Sequence, residues 1–254
     1  ERIAILTGGD SAEHNISLLS ANTILKHLDD TKYHPIIVHL KNKKYTVDQI
    51  EIDTSNFSYS KENKKILFDK MFIALHGPPA ENGLIQDYLE EINLPYTSCN
   101  AKISSLTFDK FKCNIKLNEF GFLCATSILI YSKEEFSKNT VIKKIGFPCF
   151  VKPNGAGSSY GISKVTKEKD LSKAIEDAFC HDNKVIIESF INGIEVSCGV
   201  YSDKNKVVAL PITEIITEND FFDYEAKYQG KSEEITPARI SKRLTSLIQD
   251  TTIK

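Results

Sequence analysis

Cys149-Phe150-Val151-Lys152, then Pro153-Asn154-Gly155-Ala156-Gly157-Ser158-Ser159-Tyr160-Gly161, then Ile162-Ser163-Lys164-Val165 form one continuous stretch that reads as strand, glycine-rich loop, strand. Glycines let successive backbone N–H groups converge on an anion, and Ser158 and Ser159 add hydroxyl donors. A Walker loop needs Gly-Lys-Ser/Thr opening a helix, and a dinucleotide loop also feeds a helix. Here an alternating strand follows, so the loop joins two strands as a flap over phosphates; a solvated hairpin turn is the other reading of the same glycines. Lys152 ends the apolar strand on the same face as Phe150. A half-buried ammonium there needs an anionic partner.

Upstream, strand and helix signals alternate. Arg2–Leu6 reads as a strand, Ala12–Leu28 as a helix with Ile16, Leu19, Ile24 and Leu28 near the 3.6-residue period, Pro35–Leu40 and Met71–Leu75 as strands, and Gly83–Ile92 as a short helix. This β-α-β order predicts a doubly wound parallel-sheet domain. Lys41–Lys65 is polar and hairpin-like. From Ser104 the pattern becomes α+β: helix Ser104–Asn118, strand Thr126–Tyr131, the flap, helix Asp170–Phe179, then strands Lys184–Phe190, Glu195–Tyr201 and Val207–Leu210. Thr213–Glu234 packs Phe221, Phe222, Tyr224 and Tyr228 among charges without a clean period, and structureless loops of that length are often lids. An amphipathic helix with Ile240, Leu244, Leu247 and Ile248 in its stripe closes the sequence.

The 254 residues, at about 150 per domain, bound the protein to roughly two domains. The net charge of −2 leaves no electrostatic footprint for nucleic acid, and no apolar run nears the ~18 residues that would cross a membrane. Of 32 basic residues only Arg2, Arg239 and Arg243 are arginine, so bidentate clamps are scarce and Lys and backbone N–H groups must carry anion binding. Six irregularly spaced cysteines read as reduced, packed thiols of a cytoplasmic protein. The six histidines show no zinc spacing.

Two further clusters carry chemistry. Glu188 ends the apolar run Val185-Ile186-Ile187, and Glu195 faces away from Val196, Cys198 and Val200; beside a phosphate flap such carboxylates can accept from a ribose or an adenine amino group, or be ordinary edge acids. Gly8-Gly9-Asp10-Ser11-Ala12-Glu13 is a strand-glycine-helix junction lacking the G-x-G-x-x-G spacing. Glu13 there either suits the helix dipole or anchors a substrate ammonium, and His76-Gly77 ends another strand of the same sheet.

Taken in order, the motifs resemble the D-alanine–D-alanine ligase family of the ATP-grasp superfamily: Gly8-Gly9-Asp10-Ser11-Ala12-Glu13-His14, Ala74-Leu75-His76-Gly77, Pro95-Tyr96-Thr97, Phe108-Asp109-Lys110, Val151-Lys152-Pro153 through Ser159, Glu188 and Glu195, and Phe222-Asp223-Tyr224-Glu225-Ala226-Lys227-Tyr228. The resemblance implies an N-terminal substrate domain at 1–97, a central ATP-grasp domain with the flap at 98–190, and the opening of a C-terminal domain at 191–254 that includes the lid. It implies that Lys110 and Lys152 hold ATP phosphates under Ser158 and Ser159, that Glu188 with the backbone at Phe190 and Ile191 reads adenine, that Glu195 reads the ribose, and that Lys227 reaches a phosphate. Glu13 would fix the first D-alanine ammonium beside His76, and hydrogen bonds would link Glu13, Ser158 and Tyr228 as the catalytic group.

The implied reaction is ATP-driven ligation of two D-alanines through an acyl phosphate for peptidoglycan, with Mg²⁺ (or Mn²⁺) and a cytoplasmic homodimer. Two departures stand out: Pro78-Pro79-Ala80-Glu81-Asn82-Gly83 replaces the usual Gly-Glu-Asp-Gly, and Asn15 replaces an acidic residue. The family's metal ligands and oxyanion donors are expected past Lys254, so no metal ligand is named here and the chain is expected to continue by another ~50–90 residues. A D-alanine–D-lactate ligase is the nearest alternative, disfavoured by Tyr228 at the lid position; a non-catalytic nucleotide-binding remnant and a Rossmann oxidoreductase are more distant ones.

Overall fold

A computed structural model describes residues 1–132, 136–203, 206–217 and 232–254. The chain packs as two units, one of residues 1–124 with 154–157 and one of residues 125–153 with 158–254.

The first unit is built on β1 (Arg2–Gly8), whose residues after Arg2 are all buried. It lies between β2 (His34–Lys41) and β7 (Lys70–Ile73) and runs parallel to both. A strand covered on both faces reads as a continuous apolar run, and Ile3-Ala4-Ile5-Leu6 is such a run. Its alternate residues serve two cores. Ala4 and Leu6 join Val38, Phe57, Met71 and Leu89, while Ile5 meets Ala21 of helix α1 (His14–His27) and Ala74. The parallel sheet and the helix match the β-α-β reading.

The stretch read as hairpin-like is more ordered than its polarity implied. β3 (Lys44–Val47) and β4 (Ile50–Glu51) extend the sheet beyond β2, and β5 (Ser58–Lys61) pairs with β6 (Lys64–Leu67) as a separate hairpin. Their two-residue turns, Asn42-Lys43, Asp48-Gln49 and Glu62-Asn63, all have positive φ, the geometry whose twist matches paired strands. Phe57, fully buried against Tyr45, Phe68 and Tyr88, ties the insertion to the core.

Helix α2 (Leu84–Glu91) follows, and then the single helix predicted at Ser104–Asn118 proves to be two, α3 (Ala101–Phe108) and α4 (Lys110–Glu119). Asp109 breaks it. The residue takes an extended backbone and its side chain accepts from Lys112 N–H, so it caps α4 instead of continuing α3. A short aspartate competes with the backbone in this way, which apolar periodicity does not register.

The second unit holds the sheet β10-β9-β11-β8, formed by β8 (Ser127–Ile130), β9 (Cys149–Pro153), β10 (Ser163–Val165) and β11 (Val185–Ser189) in antiparallel register. Helix α5 (Lys138–Lys144), unforeseen in the sequence, and helix α6 (Glu168–Phe179) cover one face, where Val141, Leu171 and Ile175 meet Cys149, Val151, Val185 and Ile187.

Glu195–Tyr201 is not one strand. It divides into β12 (Glu195–Ser197) and β13 (Val200–Asp203), and β13 pairs with β14 (Lys206–Ala209) in a separate hairpin. Gly199 interrupts the run, accepting at its carbonyl from Leu210 N–H. The ends of the supposed lid are strands as well: β15 (Thr213–Thr217) pairs with β16 (Ser232–Ile235) and with β12. Residues 218–231, which carry Lys227 and Tyr228, lie outside the described residues. Buried Glu214 accepts from the Arg239 side chain at both oxygens (2.9 and 3.0 Å) and from its backbone N–H (3.1 Å), fixing the chain that leads to helix α7 (Lys242–Ile253). The guanidinium holds the Glu214 carboxyl below its ordinary range. All six cysteines are free thiols; Cys149 is buried as expected, whereas Cys99 and Cys180 are exposed. No helix among the described residues is long and apolar enough to cross a membrane.

Candidate active site

Within the first unit, the polar residues gather where β1 and β7 end. β1 delivers Gly8 and Gly9, and Glu13 takes the N-cap of α1. Its side chain makes no capping bond to its own helix. The carboxylate is instead among the few buried acids, 6% exposed, and belongs to a trio with His76 and Glu81 whose ligand atoms lie within 4.8 Å of one another.

Serines of α1 and its entry fix this arrangement. Ser17 Oγ accepts from His76 N–H (2.9 Å) and donates to Glu13 O (3.2 Å). Ser20 Oγ lies 2.9 Å from His76 Nε2, and Ser11 Oγ donates to His76 O (3.3 Å) while accepting from Glu13 N–H (3.2 Å). Ser17 and Ser20 stand three residues apart, on one helix face with Glu13. That spacing was present in the sequence, but nothing in it said what the face meets.

Glu81 was not foreseen as a site residue. It sits in the loop between Gly77 and Gly83 that departs from the family pattern. Ala80 has an ordinary negative φ and is buried, so a methyl group fits where glycine is usual. Asn82 Oδ1 accepts from Leu84 N–H (3.3 Å), a role that an aspartate would also fill. Burial, first, pushes the Glu81 carboxyl above its ordinary range, and the neighbouring Glu13 charge adds to this. Glu13 is buried and Glu81 and His76 are half-buried, and two acids this close together favour positive charge beside them.

The glycine loop approaches the same carboxylate. A Cβ on Gly157 would stand 3.0 Å from Glu13 Oε2 and 3.3 Å from Oε1; one on Gly77, at φ +73°, would stand 2.9 Å from Oε2. Gly157 has no positive φ, so alanine there strains no backbone and only displaces Glu13. Gly157→Ala is therefore expected to raise the KM for D-alanine about tenfold, roughly the 1.4 kcal/mol of one weakened charged hydrogen bond, with the melting temperature unchanged. Initial-rate kinetics and a thermal melt check both halves.

Lys110, at the start of α4, donates from Nζ to Ala156 O (2.6 Å) and to Asn154 O (3.4 Å). Buried Asn154 in turn accepts at Oδ1 from Phe111 N–H (3.0 Å). The lysine expected at phosphates thus also secures the base of the loop. Beyond Gly157, Ser158 and Ser159 take φ of +48° and +60°. Non-glycine residues in this region carry a cost of about 1–3 kcal/mol and cluster at ligand clamps.

Within the second unit, β9 alternates as foreseen: Cys149, Val151 and Pro153 enter the core, and Phe150 and Lys152 lie on the half-open face. On β11, opposite Lys152 is Ile186, and Glu188 is the diagonal neighbour two residues on. Lys152 Nζ meets Glu188 Oε2 at 2.5 Å, with side chains 24% and 10% exposed, and stands 5.4 Å from the Phe150 ring centre. The anionic partner required of Lys152 is therefore Glu188. A cavity of about 560 Å³ beside them is lined by Phe150, Phe190, Ile191, Glu195 and Glu214. That is the size and the mainly apolar character of a ligand pocket with a few polar contacts. Lys164 lies 4.8 Å from the Phe190 ring centre.

Residues 2–99 match the family model described as D-ala D-ala ligase N-terminus, and residues 113–254 match D-ala D-ala ligase C-terminus. The chain belongs to the D-alanine–D-alanine ligase family. The D-alanine–D-alanine ligase of Flavobacterium johnsoniae is 48% identical over 256 residues, covering 99% of this chain and 79% of that relative. The D-alanyl-alanine synthetase A of Vibrio cholerae superposes with a TM-score of 0.86 at 28% identity, over 99% of this chain and 78% of that one. The Bacillus anthracis D-alanine–D-alanine ligase, crystallised with ATP, gives 0.76 at 25% identity, over 99% and 75%.

Proposed function

We propose that the full-length protein carrying this chain ligates two D-alanines at the expense of ATP, making the dipeptide for peptidoglycan precursors in the cytoplasm as a homodimer. The observation that carries the reading is the trio Glu13, His76 and Glu81, one buried acid with a half-buried acid and imidazole whose ligand atoms lie within 4.8 Å, in a member of this ligase family. Glu13 and Glu81 neutralise the ammonium of the first D-alanine, and this holds its carboxylate at a fixed distance. That carboxylate attacks the γ-phosphorus of ATP, ADP leaves, and an acyl phosphate forms. The amine of the second D-alanine attacks the acyl carbon, inorganic phosphate leaves, and the nitrogen gives up a proton. Phosphoryl transfer is mostly positioning and charge neutralisation. Lys152, Lys110 and the N–H groups of the Ser158–Ser159 turn supply positive charge, Glu188 accepts from the adenine amino group against Phe190 and Ile191, and Glu195 accepts from the ribose.

Mg²⁺ belongs to the family reading, yet the described residues do not fit it. Their one cluster of acidic and imidazole ligand atoms, Glu13-His76-Glu81, includes a nitrogen donor, whereas Mg²⁺ takes an octahedron of oxygens. The test is phosphate release from ATP and Mg²⁺ in the presence of D-alanine, L-alanine or D-lactate. Release with D-alanine alone is expected; an equal rate with L-alanine contradicts the proposal, and release requiring D-lactate favours the depsipeptide alternative.

A further inference from the structure

Gln86 is 1% exposed on α2, and its carboxamide is only half satisfied. Nε2 donates to Ala80 O (2.6 Å) and to Ser98 Oγ (3.2 Å), while Oε1 has no partner among the described residues. Flipping the amide does not help, since it would set an oxygen against the Ala80 carbonyl. A buried acceptor left unpaired costs about 1–3 kcal/mol, and a leucine here would avoid that cost. Something other than stability therefore accounts for the amide, and the place where its donors act names it. Ala80 O belongs to the loop that turns through Gly77. Ala80 and Glu81 both donate their N–H groups to Gly77 O (3.0 and 3.1 Å), and Ile85 N–H bonds Pro79 O (3.0 Å). The peptide whose carbonyl Gln86 grips is the one that leads into Glu81. His76, Glu81, Gln86 and Ser98 also line one cavity of about 540 Å³.

We propose that Gln86 is a positioning residue for the substrate-ammonium anchor, holding the Ala80 carbonyl so that Glu81 is delivered to Glu13 and His76. The inference rests on the reading of that trio as the D-alanine site. Without the amide donors the Ala80–Glu81 peptide can rotate, Glu81 drifts from the ammonium, and D-alanine binding suffers while nucleotide binding does not.

The experiment compares the wild-type full-length protein with its Gln86→Leu and Gln86→Met variants, which keep the volume and lose the amide. The readouts are D-alanine-dependent phosphate release, the KM for D-alanine, the KM for ATP and the melting temperature. The expected result is a KM for D-alanine raised about tenfold, equal to one charged hydrogen bond at 1.4 kcal/mol, with kcat and the KM for ATP within about twofold. Ser98→Ala, which leaves the Ala80 bond in place, should behave as wild type. An unchanged KM for D-alanine in either variant, whatever the melting temperature does, overturns the inference. Should Leu not fold, Met decides. Absence of D-alanine-dependent release in the wild type counts instead against the proposed function, so the two failures are distinguishable.

Discussion

Lys152→Met is expected to weaken ATP binding by about 10–10²-fold. The substitution keeps a stem of similar length against Phe150 and removes only the charge. A hydrogen bond from a charged group contributes about 1.5–3 kcal/mol. At 1.4 kcal/mol per factor of ten, losing one such bond to a phosphate gives the stated range. Titration calorimetry with ATP measures it against Lys173→Met, a lysine 80% exposed in a surface pair with Asp177. Similar affinities in the two variants would remove Lys152 from the nucleotide site. The pair also predicts a stability effect. Lys152→Met should melt below wild type, and adding Glu188→Gln should restore the melting temperature without restoring ATP binding.

Glu13→Gln is expected to raise the KM for D-alanine about a hundredfold and to leave ATP affinity within twofold. The amide has the shape of the acid, so the loss reports charge against an ammonium in a desolvated pocket, about 3 kcal/mol at the upper end for a charged hydrogen bond. A second consequence separates this from simple damage. Glu81 is held above its ordinary range by burial and, further, by the Glu13 charge. An ammonium needs Glu81 ionised, so kcat/KM for D-alanine falls as pH drops through the raised Glu81 pKa. Glu13→Gln removes the like charge, Glu81 ionises more readily, and the acid limb should move to lower pH. A limb that stays in place or moves upward would falsify the coupling between the two acids.

Much of the fold was legible because its signals are local. Ile3-Ala4-Ile5-Leu6 is apolar without alternation, as a strand buried on both faces must be, and the helix after Gly8-Gly9 has a 3.6-residue stripe. The errors fell where short-range polar chemistry or distant pairing decides. Asp109 ends one helix by capping the next. Gly199 splits a run that alternates well enough to pass for one strand. Thr213–Thr217 looked like loop because its strand partners lie 15 to 21 residues away.

The site divides in the same way. The sequence by itself supplied the candidate site positions that motifs carry in order: Glu13, His76, Lys110, Lys152, the Ser158-Ser159 turn, Glu188 and Glu195. It also determined that Lys152 shares a face with Phe150, since a two-residue period is a local property of a strand. Which acid answers Lys152 was decided by the register of β9 against β11, and register is a relation between segments. Glu81, Gln86 and the serines of α1 became site residues only through tertiary structure. Ser20 and Ser11 meet His76 across 56 and 65 residues of chain, Gln86 meets Ala80 and Ser98 across 6 and 12, and a hydroxyl or an amide gives no local sign of its partner.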